Sequence, residues 1–258
     1  MTLAHLFAFI FGSIVGSFLN VCIYRMPRGE SIIYPWSHCT NCHRSIPWYD
    51  NMPFISYLFL KGRCRFCMAK ISFRYFIVEG LAAITFVLLL WRFEIGLNYL
   101  IYAAFLSTLI IISFIDLEHK IIPDELSLGG LALGLILSGL YPSLHGQTSM
   151  IHGFKSSFFG ILVGGVSIYL IGLFGAAIFK KEAMGGGDIK LLAFIGAFLG
   201  WKLTLLTFFV APILGSIFGI PLKFIKKQDT ISYGPFLSLA AFISIFWGDK
   251  ILSLISPI

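Results

Sequence analysis

The fold is decided by an apolar stretch that ends in a carboxylate: Leu97-Asn-Tyr-Leu-Ile-Tyr-Ala-Ala-Phe-Leu-Ser-Thr-Leu-Ile-Ile-Ile-Ser-Phe-Ile-Asp116. Residues 97–115 carry no charge, and a helix of that length nearly spans the roughly 30 Å hydrocarbon core of a bilayer. A carboxylate within a membrane helix is costly to desolvate, by about 2.5 to 3.5 kcal/mol at the helix centre. Asp116 is therefore a candidate functional residue.

The rest of the chain has the same character. Of its 258 residues, 58% are hydrophobic and 12% are charged, with a mean hydropathy of +0.90. A soluble globular protein has about 25% charged residues, so this composition excludes one. We predict an all-α polytopic membrane protein with about eight transmembrane helices. Its apolar segments run at about 4–24, 76–93, 97–115, 126–141, 155–179, 189–201, 203–222 and 231–247.

The distribution of Lys and Arg predicts the orientation of these helices. Short cytoplasmic loops are enriched in both residues. If loop 25–75 is cytoplasmic and the helices alternate, fifteen Lys and Arg residues lie on its side of the membrane and four on the other. We therefore expect the amino terminus outside. The net charge of +7 is then explained by topology, so we expect the lipid bilayer, and no nucleic acid, as a partner.

Three regions follow from this pattern. Residues 1–24 form a first transmembrane helix, which lacks the basic start and small-residue cleavage site of a signal peptide. Residues 25–75 form a cytoplasmic loop domain, and residues 76–258 a seven-helix membrane domain. Glycines recur at a spacing of four in several helices, which predicts close helix packing. The pairs are Gly12/Gly16, Gly130/Gly134, Gly160/Gly164, Gly196/Gly200 and Gly215/Gly219.

Loop 25–75 contains two Cys-x-x-Cys units. This spacing lets both thiolates of each unit bind one ion, and two units complete a tetrahedral site for structural zinc. Disulfides and free thiols are the alternatives, and a reducing cytoplasm disfavours the former. His38 or His43 is an alternative ligand, and Cys22 is expected to be a packing residue. The predicted ligands are Cys39, Cys42, Cys64 and Cys67.

A second acidic residue, Asp188, follows three glycines and precedes an apolar segment in Glu182-Ala-Met-Gly-Gly-Gly-Asp188-Ile-Lys190. It is also a plausible helix N-cap, as is Asp124 after Pro123. Asp116 has no such explanation, because the helix dipole disfavours an anion at a C-terminus. If Asp116 and Asp188 approach closely, they share a proton: one activates water and the other polarises a scissile carbonyl.

These residues resemble the type IV prepilin peptidases, a family of GxGD aspartic peptidases. The resemblance implies that Asp116 and Asp188 are the catalytic pair, with Gly185 and Gly187 as supporting motif residues. It covers nearly the whole chain, through Gly16-Ser-Phe-Leu-Asn-Val21, Asp50-Asn-Met-Pro53, Ile71-Ser-Phe-Arg-Tyr75 with Glu79, Ile115-Asp116, Pro123-Asp124, Glu182 to Leu192, and Tyr233-Gly-Pro-Phe236.

The resemblance also implies the substrates, the location and a second activity. Type IV prepilins and pilin-like secretion or competence proteins are cleaved after Gly, at the cytoplasmic face of the bacterial inner membrane. The new N-terminus is then methylated with S-adenosylmethionine, for which no binding residues are predicted. Two other interpretations are weaker. A proton or ion transporter would need a continuous polar path, and a membrane-anchored zinc-ribbon adaptor would leave the two aspartates unexplained.

Overall fold

The computed structural model describes residues 3–179, 185–219, 221 and 231–255. Their principal elements are α-helices, and the only β pairs among them are two isolated bridges. The helices are α1 (Leu3–Arg25), α2 (Ile55–Phe59), α3 (Arg74–Phe93), α4 (Leu97–His119), α5 (Asp124–Leu140), α6 (Met150–Phe179), α7 (Gly186–Leu214, continued by a π turn at Gly215–Gly219) and α8 (Gly234–Ile255). The predicted all-α fold is confirmed.

Six of the described helical segments are long and apolar enough to cross a membrane. Helix α5 is apolar as well but has only 17 residues. One of the six segments, Gly186–Gly219, has 34 residues, which corresponds to about 51 Å of helix and exceeds the hydrocarbon thickness. It is not a straight rod, because Gly200 has non-helical backbone angles of φ 70 and ψ 174. The break lies at the predicted boundary between segments 189–201 and 203–222.

Polar side chains fill the break in α7. Carbonyl groups at a helix end lack intrahelical partners. Here the Ala197 carbonyl accepts hydrogen bonds from Ser157 Oγ at 2.8 Å and Ser138 Oγ at 3.1 Å. His145 Nε2 lies 2.8 Å from Ser138 Oγ. A Cβ atom on Gly200 would lie 2.6 Å from Ser156 Oγ, so the glycine is required by space as well as by its positive φ.

The described chain divides into two compact units, Met1–Ile111 and Ile112–Ile258. In the first unit α1 packs against α3. A Cβ atom on Gly12 would lie 2.9 Å from Ala83 Cα, and one on Gly16 would lie 2.7 Å from Glu79 Cα. The glycines therefore let the two backbones approach closely, as their spacing predicts.

The loop of the first unit is attached to α3 by aromatic packing and one buried carboxylate. Phe54 packs edge-on against Phe76, with ring centroids 5.1 Å apart, and Phe76 stacks on Phe73 at 5.5 Å. The backbone N–H of Phe54 donates to Glu79 Oε2 at 2.9 Å. This bond accounts for the burial of a carboxylate in α3, since a buried charge needs a hydrogen-bond partner.

In the second unit α7 is central and packs against α5, α6 and α8. Its residues from Leu191 to Gly200 are all buried. Side chains at Gly160 and Gly164 would overlap the carbonyls of Gly196 and Leu192. A Cβ atom on Gly134 would lie 2.6 Å from the Phe198 ring. These glycines also mark tight helix contacts, as predicted.

Some sequence predictions concern residues outside the described part of the chain. Glu182, the first residue of the stretch quoted around Asp188, is one of them. The others are lysines that were counted for orientation: Lys180, Lys181, Lys223, Lys226 and Lys227.

Candidate active site and metal centre

Asp116 lies in the last turn of α4, with only 6% of its surface exposed. Its carboxylate Oδ2 accepts a hydrogen bond from the backbone N–H of Gly234 at 2.9 Å. Its main-chain carbonyl accepts two more, from Ser232 Oγ at 2.9 Å and from the Lys120 N–H at 2.9 Å. Both ends of Asp116 are therefore fixed, and its charge is balanced in part by a backbone donor.

Asp188 is the third residue of α7 and is half-buried. The residue in the N-cap position is Gly185, with extended angles of φ −74 and ψ 146, and no side chain caps the helix. Asp188 is therefore not the N-cap that its position also allowed. Its backbone N–H donates to the Gly185 carbonyl at 3.1 Å. A carboxylate in the first turn of a helix is favoured by the dipole, unlike one in the last turn.

Two contacts bring the start of α7 to the connection between α4 and α5. A Cβ atom on Gly187 would lie 3.1 Å from Ile122 Cβ, and Lys190 Nζ lies 2.7 Å from Asp124 Oδ1. As a result, the carboxyl groups of Asp116 and Asp188 are near enough for the charge of one to act on the other. The structure thus brings together the two acids that the sequence singles out.

The prediction that Asp124 caps α5 is wrong. Helix α5 begins at Asp124 itself, and the N-cap position is taken by Pro123 with extended angles of φ −60 and ψ 131. Proline supplies no side-chain acceptor. The Asp124 carboxylate pairs instead with Lys190, so it connects two helices of the second unit.

The three glycines before Asp188 differ in what they allow. Gly187 has the closest neighbour, because a Cβ there would lie 3.1 Å from Ile122 Cβ. A Cβ atom on Gly185 would lie 3.7 Å from Asp188 Oδ2, which is ordinary contact, and one on Gly186 would meet nothing within 4 Å. The space beside the carboxylate is thus open along Gly185 and Gly186, both of which are exposed.

The sequence pattern alone does not predict three further residues at the site: Ser232, Tyr233 and Gly234. Burial, and then the nearby charge of Asp188, raise the pKa of Tyr233. This segment therefore reaches both aspartates. Its signal in the sequence is a Ser-Tyr-Gly-Pro stretch at the start of the last apolar segment, which only the family resemblance singles out.

The second candidate site is the four-cysteine centre of the first unit. The sulfur atoms of Cys39, Cys42, Cys64 and Cys67 all lie within 4.8 Å of one another. The separation of Cys39 Sγ from Cys67 Sγ is 3.7 Å. A zinc–sulfur distance of about 2.3 Å in a tetrahedron places sulfur atoms about 3.8 Å apart. The donor set and its spacing therefore fit a metal ion of this kind.

The two cysteine units fold alike. In the first, the Cys39 N–H donates to the Arg44 carbonyl and the His43 N–H to the Cys39 carbonyl. In the second, 25 positions later, the Cys64 N–H donates to Ala69 and the Met68 N–H to Cys64. Both turns close with a residue of positive φ, His43 (φ 56) and Met68 (φ 58). Repeated turns of this form aim the thiols of both units at a common centre.

Side chains around the centre stabilise it. Asn41 Nδ2 lies 3.6 Å from Cys67 Sγ. The backbone N–H of Ala69, and then the Asn41 amide, lower the pKa of Cys67 to about 6, which favours the thiolate that metals bind. Arg65 makes a bidentate pair with Asp50, with both N···O distances at 2.6 Å. Its hydrogen bonds hold the pKa of Asp50 below its ordinary value.

The remaining candidates lie apart from this cluster. Cys22 is buried in α1, with 3% of its surface exposed, which agrees with a packing role. His38 and His43 are not among the clustered ligand atoms. Their rings lie 6.1 Å apart, and His38 Nδ1 lies 3.0 Å from the Trp36 carbonyl.

Fold and sites together define a multi-pass helical membrane protein that carries an acidic pair in one unit and a tetracysteine centre in the other. The sequence model described as "Bacterial Peptidase A24 N-terminal domain" matches residues 10–93, and that described as "Type IV leader peptidase family" matches residues 103–220. The chain belongs to the type IV leader peptidase family.

Curated relatives extend over nearly the whole chain. A protein of Pseudomonas putida is 32% identical over 95% of this chain and 91% of its own length, and one of Dichelobacter nodosus is 35% identical over 95% and 92%. A protein of Myxococcus xanthus is 38% identical over 83% of this chain and 62% of its own length. Each is named prepilin leader peptidase/N-methyltransferase. No solved structure matches the chain significantly.

Proposed function

We propose that this chain is a prepilin leader peptidase and N-methyltransferase. One observation supports the peptidase above all: contacts of Gly187 with Ile122 and of Lys190 with Asp124 bring Asp188 within reach of the charge of Asp116. Membership of the type IV leader peptidase family gives that pair its chemistry, and the relatives' names give the substrate class.

The two carboxyl groups act as a general acid–base pair. Two neighbouring carboxyls hold one proton between them over part of the pH range. The charged member takes a proton from water, which attacks the scissile carbonyl, while the protonated member donates to the carbonyl oxygen. The amine of the mature protein then leaves with the proton that was taken from water, and the other carboxyl recovers its proton as the carbonyl re-forms. Gly185 and Gly186 leave room for an extended peptide beside Asp188.

The substrates are prepilins and pilin-like precursors, whose basic leaders are removed after a Gly. The positive charge of loop 25–75 supports a location of this loop and of the acidic pair on the cytoplasmic side of the bacterial inner membrane, with the amino terminus outside. The lipid bilayer is the surrounding partner, and the apolar helices suit it.

The four cysteines would hold one zinc ion, with a structural role. Four sulfur ligands leave no open position for water, in contrast to catalytic zinc sites. The ion would stabilise the fold of loop 25–75, since short segments of this kind derive folding free energy from metal binding. Hydrolysis is then carried out by the two aspartates, without the metal.

Methylation is the second activity. The amine exposed by cleavage takes the methyl group of S-adenosylmethionine, whose sulfonium leaves as a thioether while the amine loses a proton to solvent. Loop 25–75 is the region we assign to this step. Among the described residues of the loop no arrangement identifies a site for the methyl donor, and we assign it no residues.

The test is cleavage of a prepilin-like substrate by the purified chain in detergent, with mass spectrometry of the product's N-terminus. We expect cleavage after Gly, a mass increase of one methyl group when S-adenosylmethionine is added, and a loss of about three orders of magnitude or more in Asp188→Asn and Asp116→Asn. Glu125→Gln is the matched control, because Glu125 is an exposed acid in the first turn of α5. Cleavage at wild-type rate in Asp188→Asn would refute the acidic pair.

A further inference from the structure

The segment Ser232 to Gly234 contacts the acidic pair from a third direction. Ser232 and Tyr233 precede α8, and Gly234 is the first residue of this helix. Its Ser232 hydroxyl and Gly234 amide both bond to Asp116, one at the main chain and one at the carboxylate. A single residue held by one segment at both its backbone and its side chain cannot change rotamer freely. This arrangement orients the carboxylate of Asp116.

Gly234 is required by this contact. Its φ is not positive, so the backbone conformation itself accepts other residues. A Cβ atom at this position would nevertheless lie 2.8 Å from Asp116 Oδ2, 3.3 Å from Cγ and 3.4 Å from Cβ. These atoms are not the flexible end of a long side chain. Any side chain at position 234 therefore displaces the carboxylate or the N–H that holds it.

The hydrogen bond also divides the two oxygens of Asp116 into different roles. Oδ2 is bound to the Gly234 N–H at 2.9 Å. Among the described residues, the hydrogen bond to this carboxylate is made at Oδ2, so Oδ1 is the oxygen left for a proton or a water molecule. Among the described residues, the charge of Lys120 acts on Asp116 and that of Asp116 acts on Asp188, and the phenol of Tyr233 lies near Asp188.

We propose that Ser232 and Gly234 are positioning residues that fix the orientation of Asp116 for catalysis, with the Gly234 amide holding Oδ2 and leaving Oδ1 to react. This inference rests on the proposed peptidase. A backbone N–H against a carboxylate favours its charged form. The segment therefore fixes the direction of one carboxylate of the pair and supplies a hydrogen-bond donor to its charged form.

The first test compares Gly234→Ala with Gly248→Ala in detergent-purified full-length protein. We expect Gly234→Ala to lower kcat by about a hundredfold, as a displacement near 1 Å does at other active sites, with KM nearly unchanged. Gly248 is the matched control in the same helix, because a Cβ there would also meet side-chain atoms closely, but these are the outer atoms of two flexible leucines, Leu203 Cδ2 and, at 3.5 Å, Leu206 Cδ2. Its substitution should change kcat by no more than a few-fold.

The pH profile separates positioning from packing. The acid limb of kcat/KM reports the ionisation of the pair. Loss of the Gly234 bond should move this limb to higher pH, whereas partial unfolding would lower the rate equally at all pH values. Ser232→Ala should reduce kcat several-fold, and Ser232→Thr, which keeps a hydroxyl, should restore it.

The outcomes are distinct. Two results would overturn the positioning role. One is a wild-type kcat in Gly234→Ala. The other is a reduced kcat with an unchanged acid limb and a loss of folded protein equal to that in Gly248→Ala. Absence of cleavage by wild-type protein would overturn the peptidase itself. A readout independent of cleavage is isotope-edited infrared spectroscopy of labelled aspartate. The carboxylate band that Asp116→Asn removes should shift in Gly234→Ala and stay in place in Gly248→Ala.

Discussion

The tetracysteine centre and the acidic pair are built in opposite ways. All four thiols come from residues 39–67, and each pair of thiols is shaped by its own short turn. The acids at 116 and 188 come from different helices, and the group that orients Asp116 lies 118 positions further along. The cluster of four thiols is encoded locally, whereas the acidic pair depends on the packing of the second unit.

The difference implies that each site can be lost without the other. The contacts that hold Asp116 and Asp188 involve residues 120–124, 185–190 and 232–234, all of which belong to the second unit. The contacts that shape the cysteine turns lie within residues 37–71. Substitutions in one region should therefore leave the other site intact.

The largest expected effect is loss of the metal in Cys67→Ser. Structural zinc binding is worth about 10 to 16 kcal/mol at neutral pH in small zinc domains, and three sulfur ligands do not retain it fully. We expect the metal content to fall from about one zinc per chain to near zero, the loop to become sensitive to protease, and methylation to be lost, while prepilin cleavage persists. Metal analysis and mass spectrometry of the product check this.

The control for this prediction is Cys22→Ser, which removes a thiol that lies in α1 and outside the cluster. It should retain the metal. Stoichiometric zinc in Cys67→Ser would contradict the four-cysteine assignment, and parallel loss of cleavage would contradict the independence of the two sites.

The second prediction concerns overpacking between α6 and α7 in the second unit. Gly164→Ala would put a methyl group onto the Leu192 carbonyl, whereas Gly165→Ala, one residue away in α6, meets only Ala193 Cβ at 3.8 Å. Overpacking costs about 1 to 3 kcal/mol, while Ala replaces Gly in a helix with a gain of about 1 kcal/mol. Thermal unfolding in detergent should show Gly164→Ala destabilised and Gly165→Ala unchanged or stabilised.

Cleavage and metal content, measured in the same two variants, test whether the acidic pair and the tetracysteine centre are independent. Gly164→Ala should lose cleavage in proportion to its loss of folded second unit, with the zinc content preserved. Equal stability of the two variants would show that the close approach of α6 and α7 is not what supports the acidic pair.

A third prediction concerns pH and the break in α7. Burial lowers the pKa of His145 from 6.5 to about 4, so the folded second unit keeps this imidazole neutral where the unfolded chain protonates it. Its contribution to stability is complete above about pH 6.5 and falls as the pH drops toward 4. Between pH 6.5 and 5 the loss is on the order of 2 kcal/mol.

Unfolding measured at pH 7.5 and pH 5 in wild type and His145→Asn checks this. Other groups titrate in both proteins, so the informative quantity is the difference between their pH dependences. The variant should lose less stability on acidification than wild type does. An equal loss would mean that His145 does not titrate in this range.

Features that neighbouring residues determine can be predicted from the sequence, and features that depend on tertiary contacts cannot. The Cys-x-x-Cys spacing suffices to predict which four thiols come together, because each turn is determined by a few neighbouring residues. The ends of apolar segments suffice to place Asp116 in a last turn and Asp188 in a first turn. Gly234 could not be predicted from the residues alone, because its role is defined by a tertiary contact. The capping role expected of Asp124 failed for the same reason, since Lys190 in another helix binds its carboxylate.

The smallest expected effect is that of Asp50→Asn in the loop. The Asp50 side chain is nearly buried while that of Arg65 is half exposed, so their bidentate pair is partly screened by water. Because Arg65 lowers the pKa of Asp50, the stabilisation is present above pH 3.8 and is lost as the pH falls below it. At neutral pH, chelator competition should reveal only a few-fold faster zinc release, compared with no change in Glu30→Gln, which removes an exposed acid of the same loop. A zinc content near zero in Asp50→Asn, as expected for Cys67→Ser, would mean that the turns alone do not form the centre, and the local encoding of the cysteine site would then extend to its ion pair.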